Sequence, residues 1–249
     1  MYNPFSLEGK NILVTGASSG IGQSVAVECS KLGAKVIVTG RNSERLDCTY
    51  NSLYGCDNQK IVADISDMDD LESIVNTCPK LDGISHNAGI AKIVPIKHIN
   101  KVDISSILST NTVGPILLTQ MLVKSKKIND NASIVFTSSL SGVYCVHYGE
   151  SMYAASKGAI SGFAKGAALE LASHGIRVNC VNPSIIQTHI FESTGVLSDE
   201  QLKEKINNYP LKRLGVPTDV SYAIIYFLSS ASSWVTGNDL KIDGGYTLI

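Results

Sequence analysis

Thr15-Gly16-Ala17-Ser18-Ser19-Gly20-Ile21-Gly22 is the stretch on which the fold turns. It follows an aliphatic run, Asn11–Thr15, and opens a helix-compatible segment, Ile21–Leu32. Its glycines fall in the spacing GxxxGxG, which lets a strand bend sharply into a helix. The first N–H groups of that helix and the positive end of its dipole can receive a phosphate. The commoner dinucleotide spacing is GxGxxG, and no GK[ST] closes the run as a P-loop requires. Alone, the turn reads either as a phosphate cradle or as a tight strand–helix connection.

The same alternation continues along the chain. Strand-like runs are expected at Asn11–Thr15, Lys35–Thr39, Gln59–Ala63, Gly83–His86, Ser133–Ser138, Arg177–Val181 and Asp239–Ile242. Between them, Ile21–Leu32, Met68–Thr77, Ile99–Lys124, Tyr153–Ser173 and Asp219–Ser229 carry helical periodicity. Strands joined by helical crossovers predict an α/β chain. The expected form is a single-domain, Rossmann-like, doubly wound fold with a seven-stranded, mostly parallel sheet covered on both faces. Gln187–Gly215, with an amphipathic piece at Asp199–Asn208, breaks the rhythm after a strand whose carboxyl end should face the ligand crevice. It reads as a substrate-binding lid or as a structural flap.

Composition narrows the function. The 249 residues are 44% hydrophobic and 17% charged, with a net charge of -1. That balance gives no electrostatic case for nucleic acid or an anionic membrane. MYNPFSLEGK lacks the basic and apolar regions of a secretory signal, and no stretch approaches the roughly 18 to 20 apolar residues that span a bilayer. The six cysteines are scattered without metal-ligand spacing. They read as reduced thiols of a cytoplasmic protein, with disulfides as the alternative, and no metal site is expected.

Two further groups carry chemistry. The second strand ends in Arg41-Asn42, where dinucleotide folds often place an acid about 20 residues after the glycine turn to hold the adenosine ribose. A carboxylate would repel a 2′-phosphate, whereas Arg41 can bond one, which favours NADP(H) while leaving NAD(H) open. Arg41 can also be an ordinary surface arginine. Tyr153 and Lys157 lie four residues apart, on one face if the segment is helical. A phenol ionises near pH ~10, so a nearby cation is what brings its chemistry toward neutrality.

With both groups in place, the chain resembles the classical short-chain dehydrogenase/reductase family over essentially its whole length. Further markers follow in order: Asp64-Ile65, Asn87-Ala88-Gly89, Asn111, Ser139, Asn182-Pro183 and Thr188. The resemblance implies a nicotinamide cofactor bound by Gly16, Ser18, Ser19, Gly20, Ile21 and Gly22, by Arg41 and Asn42, and by Asp64 and Ile65 at the adenine. Asn87, Ala88 and Gly89 would pass the nicotinamide ribose, and Pro183, Ile186 and Thr188 would hold the carboxamide. Asp64 and the Asn87 turn also have plain readings as cap and turn. Tyr153 would be the general acid, and Ser139 the hydrogen-bond partner of the substrate oxygen. Lys157 would lower the tyrosine pKa and bind the ribose, and Asn111 would hold a water that links Lys157 to solvent.

Ser138 and Ser141 compete with Ser139, but the family's Ser-x-x-Gly pattern selects Ser139 with Gly142. Tyr144 and Tyr148 lack a lysine four residues on and are expected in the substrate pocket or in packing. His86 stands where asparagine is common and reads as structural, and Ser184 replaces a usual glycine.

The segments Pro210–Gly215 and Thr236–Thr247 resemble those of 3-oxoacyl-acyl-carrier-protein reductases. The leading expectation is therefore NADPH-dependent reduction of a 3-oxoacyl thioester, as in fatty acid biosynthesis, with acyl carrier protein as a candidate partner. Lys124, Lys126 and Lys127 are candidate docking residues, although Asp130 and His174 fall where such reductases often carry cations. The alternatives are a dehydrogenase of a sugar, polyol, steroid or other small ketone, and a non-catalytic NADP(H)-binding regulator. The family resemblance also implies a homodimer or homotetramer built on the long central helices.

Overall fold

The computed structural model describes residues 2–188 and 199–248. Its strands are β1 (Asn11–Thr15), β2 (Lys35–Gly40), β3 (Gln59–Val62), β4 (Leu81–His86), β5 (Ile128–Thr137), β6 (Arg177–Pro183) and β7 (Asp239–Ile242). They form one sheet in the order β3-β2-β1-β4-β5-β6-β7. Every pairing is parallel, so the sheet goes beyond the mostly parallel expectation.

Alternation along the strands divides the core in two, because successive side chains point to opposite faces. Ile12, Val14, Val36 and Val38 pack with Val25 and Ala26 of α1 (Gly20–Lys31) and with Ile224 and Phe227 of the helix Pro217–Leu228. Leu13, Ile37, Ile134 and Phe136 face the other way. There they meet Leu71 and Ile74 of α3 (Met68–Thr77), Leu118 and Leu122 of the helix Gly114–Lys124, and Ile160 and Ala164 of the helix Ser151–Leu171. A sheet buried on both faces reads as near-continuous aliphatic strands, as these do.

Three expectations shift. The polar segment Ser43–Asn51 forms α2, which buries only Leu46 and Thr49 and is capped by Asn42, so apolar periodicity did not mark it. β5 begins at Ile128 rather than Ser133, because a register shift between Leu81 and Gly83 admits Asn129, Asp130 and Asn131 at its start. The expected helix Ile99–Lys124 is instead α4 (Lys101–Leu108), a π-turn (Ser109–Val113) and α5 (Gly114–Lys124). By length and composition this run could cross a membrane, contrary to the sequence expectation, but half of its apolar window is buried within the protein. It is a core element of the fold.

His86 is structural, as expected. Its ring stacks on Phe136 at 4.6 Å, and Nε2 lies 3.0 Å from Thr119 Oγ1. The Thr119 hydroxyl donates to Pro115 O at 2.8 Å, so the imidazole must donate from Nε2 and carry its lone pair on Nδ1. Nδ1 finds no partner among the described residues. Burial pushes the His86 pKa down from 6.5 to about 3.

The unfolded chain therefore takes up a proton that the folded protein refuses, and stability falls as pH drops from 6.5 toward about 3. The expected slope is about 1.4 kcal/mol per pH unit. Urea unfolding near neutrality and at about pH 4.5 should show a flatter response for His86→Asn than for the parent. Equal losses would clear His86 as the cause.

Candidate active site

β1 lies between β2 and β4, so the chain leaves neighbouring strands in opposite directions and a crevice opens at their carboxyl ends. Thr15 Oγ1 pins its floor by accepting the N–H groups of Asn87 at 3.1 Å and Ala88 at 3.3 Å. Gly16 passes so close that a Cβ would lie 2.6 Å from Ala88 N, and its φ is +64°. Only glycine fits there without strain. Ser19 makes no side-chain cap on α1, and the first turn carries no acidic residue, so the leading N–H groups stay available to an anion.

A cavity of about 680 Å³ runs from this turn to Tyr153. It gathers Gly16, Ser18, Ser19, Gly20, Ile21, Gly22, Arg41, Asp64, Ile65, Asn87, Ala88, Gly89, Pro183, Ile186 and Thr188 with Ser139, Tyr153 and Lys157. Volume, close backbone approach and an open helix N-terminus fit an extended dinucleotide. Beside the carboxyl ends of β2 and β3, Arg41 stands 3.6 Å from Asp64 Oδ2, and Arg45 joins it in the wall. Burial alone would raise the Asp64 pKa, but Ser66 and Arg41 hold its carboxyl below the usual range.

Asn42 departs from its expected role. Its side chain accepts the Arg45 N–H at 2.9 Å as the cap of α2, and it does not line the cavity. That cap presents Arg45, which sequence reasoning missed because α2 itself was missed.

The end of the cavity at Tyr153 depends on α6 (Ser151–Leu171). Gly142, at φ +92°, lies where a Cβ would sit 2.1 Å from Ala154 O. Its missing side chain lets the serine turn press against α6 and bring Ser139 to Tyr153. The competing serines are occupied elsewhere. Ser138 Oγ donates to Lys157 O at 2.9 Å, and Ser141 Oγ donates to Glu150 Oε2 at 2.7 Å. Ser139 Oγ accepts the Ser141 N–H at 3.2 Å.

Lys157 is buried. Its Nζ donates to Thr137 O at 2.8 Å and lies 5.8 Å from the Tyr153 ring centroid. Burial pushes Lys157 down to about 8 and Tyr153 up to about 12, with Ser139 opposing the rise. The expected lowering of the tyrosine pKa by Lys157 is thus absent here. Two desolvated groups each favour their neutral form, and the ammonium is spent on a carbonyl.

Asn111 is held by hydrogen bonds at both ends of its amide. Oδ1 accepts the Ile90 N–H at 2.8 Å, while Nδ2 donates to Ile90 O at 2.9 Å and to Ser156 Oγ at 3.0 Å. A buried amide must satisfy both ends. The side chain is therefore a strut between the loop after β4 and α6, and it does not line the cavity. Tyr144 and Tyr148 lie off the cavity too, with the Tyr144 hydroxyl donating to Asp239 O at 2.8 Å. In their place His147 and Glu150 line it, unmarked by any motif. Ser184 lines the wall and shares a 2.7 Å hydrogen bond with Tyr209. Of the expected lid, residues 189–198 lie outside the described residues, while Asp199–Asn207 is helical as expected.

Comparison with known proteins agrees with this geometry. The family model described as enoyl-(acyl carrier protein) reductase matches residues 16–247. A 3-oxoacyl-[acyl-carrier-protein] reductase of Rickettsia prowazekii is 32% identical over 244 residues, covering 98% of this chain and 99% of the relative. A short-chain type dehydrogenase/reductase from Mycobacterium marinum superposes with a TM-score of 0.89 at 31% identity, covering 99% and 98% of the two chains. A Beutenbergia cavernae protein assigned as an NAD(P)-dependent gluconate 5-dehydrogenase, with NADP bound at low occupancy, gives 0.89 at 28% identity, covering 99% and 100%.

Lys157 leads to a stability test. Below about pH 8 it is protonated in both folded and unfolded chains, and its burial cost is fully present. Between about 8 and 10.5 the unfolded chain keeps the proton that the folded one releases, so the parent's stability rises with pH. Relative to Lys157→Met, the cofactor-free parent should gain about 1.4 kcal/mol per pH unit in that window. Parallel unfolding curves for the two proteins across it would refute the buried-cation account.

Proposed function

The chain belongs to the short-chain dehydrogenase/reductase family and is an oxidoreductase acting on CH–OH groups, and from that premise we propose that it interconverts a ketone and a secondary alcohol with NADP(H). The observation that carries the reading is the convergence of Tyr153, Ser139 and Lys157 at the far end of a cavity that begins at an uncapped helix N-terminus. When bound, the cofactor supplies or accepts the hydride.

Tyr153, held protonated by burial, gives its proton to the carbonyl oxygen as the carbonyl carbon is reduced. Ser139 donates a hydrogen bond to the same oxygen and stabilises the charge that develops on it. Lys157 lines the same wall and would hold the nicotinamide ribose when the cofactor is bound. In the reverse direction Tyr153 accepts the alcohol proton.

Arg41 and Arg45 support NADP(H) over NAD(H), because two guanidinium groups at the adenosine end can share a 2′-phosphate. Kinship with the Rickettsia reductase makes a 3-oxoacyl thioester the first substrate to test, with acyl carrier protein as its carrier. A small hydroxylated ketone or polyol is the second reading, favoured by Glu150 and His147 in the cavity wall. Exposed Val102 and Val113 on the central helical run and Leu169 on α6 support assembly into a dimer or tetramer.

Tyr153→Phe should lower kcat roughly 100- to 10,000-fold in steady-state assays while leaving NADPH affinity within about threefold. Near-parent turnover would remove Tyr153 from the mechanism. Arg41→Ala and Arg45→Ala should each raise the NADPH Kd about 10-fold and leave the NADH Kd unchanged. Fluorescence titration of both cofactors measures this, and equal affinities in the parent would contradict the NADP(H) assignment.

A further inference from the structure

Glu150 is a carboxylate in the substrate end of the cavity that no part of the reaction above uses. It occupies the position just before α6, three residues ahead of Tyr153. One carboxylate oxygen holds it in place, since Oε2 accepts the Ser141 hydroxyl at 2.7 Å and the His147 N–H at 3.3 Å. The Glu150 N–H donates to His147 O at 3.1 Å, which closes the same small turn. Ser141 in turn donates its own N–H to Ser139 Oγ at 3.2 Å, so the carboxylate is tied through one residue to the hydroxyl that faces the substrate oxygen. Oε1 has no partner among the described residues.

We propose that Glu150 is a specificity-determining residue that accepts a hydrogen bond from a hydroxyl beside the reacting carbonyl, making hydroxylated ketones and the matching vicinal diols the preferred substrate class. The proposal rests on the oxidoreductase reading of the site. A substrate that covers a carboxylate without offering a donor strips its water and leaves it unpaired, which disfavours bare acyl and alkyl ketones. A hydroxyl restores the lost bond. An ammonium donor fits less well, because Lys92, Lys157 and Lys205 also line the cavity. The carboxylate also acts on the reacting group itself, since its charge adds to the rise in the Tyr153 pKa.

Hydroxyacetone and butanone differ by one hydroxyl in place of a methyl group, and NADPH consumption with each reads the preference directly. The parent should favour hydroxyacetone in kcat/KM by about 100-fold or more. Glu150→Leu should shrink that ratio to within about threefold, and Glu150→Gln, which keeps an acceptor in place, should retain part of it. A parent that reduces butanone, or the acetoacetyl thioester of N-acetylcysteamine, at least as well as hydroxyacetone would overturn the inference and leave the oxidoreductase reading standing. An unchanged ratio in both variants would overturn it as well. No NADPH consumption with any of these ketones would sink the functional reading and the inference together.

Discussion

A parallel sheet cannot leave either face in water, and that constraint orders the rest of this protein. Each strand must be followed by a crossover that covers one face, so all seven strands end on the same edge. The residues just past those ends then have nowhere to go but around one crevice. Gly16, Arg41, Asp64, Asn87, Ser139 and Ser184 each follow a different strand, and all line the same cavity. The site is a by-product of covering the core twice.

The candidate catalytic groups occupy that crevice at an energetic cost. Lys157 and Tyr153 are both desolvated, and each is displaced toward its neutral form. Their arrangement persists because the surroundings hold it. Asn111 ties the loop after β4 to α6 through Ser156, Thr137 receives the lysine, and the bare Gly142 lets the serine turn close on the helix. Such costs gather at functional sites and are offset by a core that is otherwise well packed.

Much of the fold was legible because aliphatic periodicity reports burial directly. The β1 and β7 limits, α3, and the order of elements followed from it. The polar helix Ser43–Asn51 escaped because Asn42 and local hydrogen bonds start it rather than an apolar face, and with it went Arg45. The π-turn at Ser109–Val113 escaped because an inserted residue leaves the composition unchanged while rotating Thr110, Asn111 and Thr112 inward. Most nominated site residues do line the cavity. The exceptions, Asn42 and Asn111, are amides whose side-chain oxygens accept backbone N–H groups, a choice of partner that spacing does not reveal.

By itself the sequence determined the class of chemistry. A glycine turn needs no side chains to cradle phosphate, and a tyrosine and a lysine four residues apart share a helix face wherever that helix lies. Only the tertiary structure decided what surrounds them. Which of three serines turns its hydroxyl to Tyr153, which face of the Glu150 turn meets the cavity, and how far burial moves Tyr153 and Lys157 depend on neighbours far away in the chain. Desolvation and hydrogen-bond competition are set by three-dimensional packing, so no local pattern encodes them.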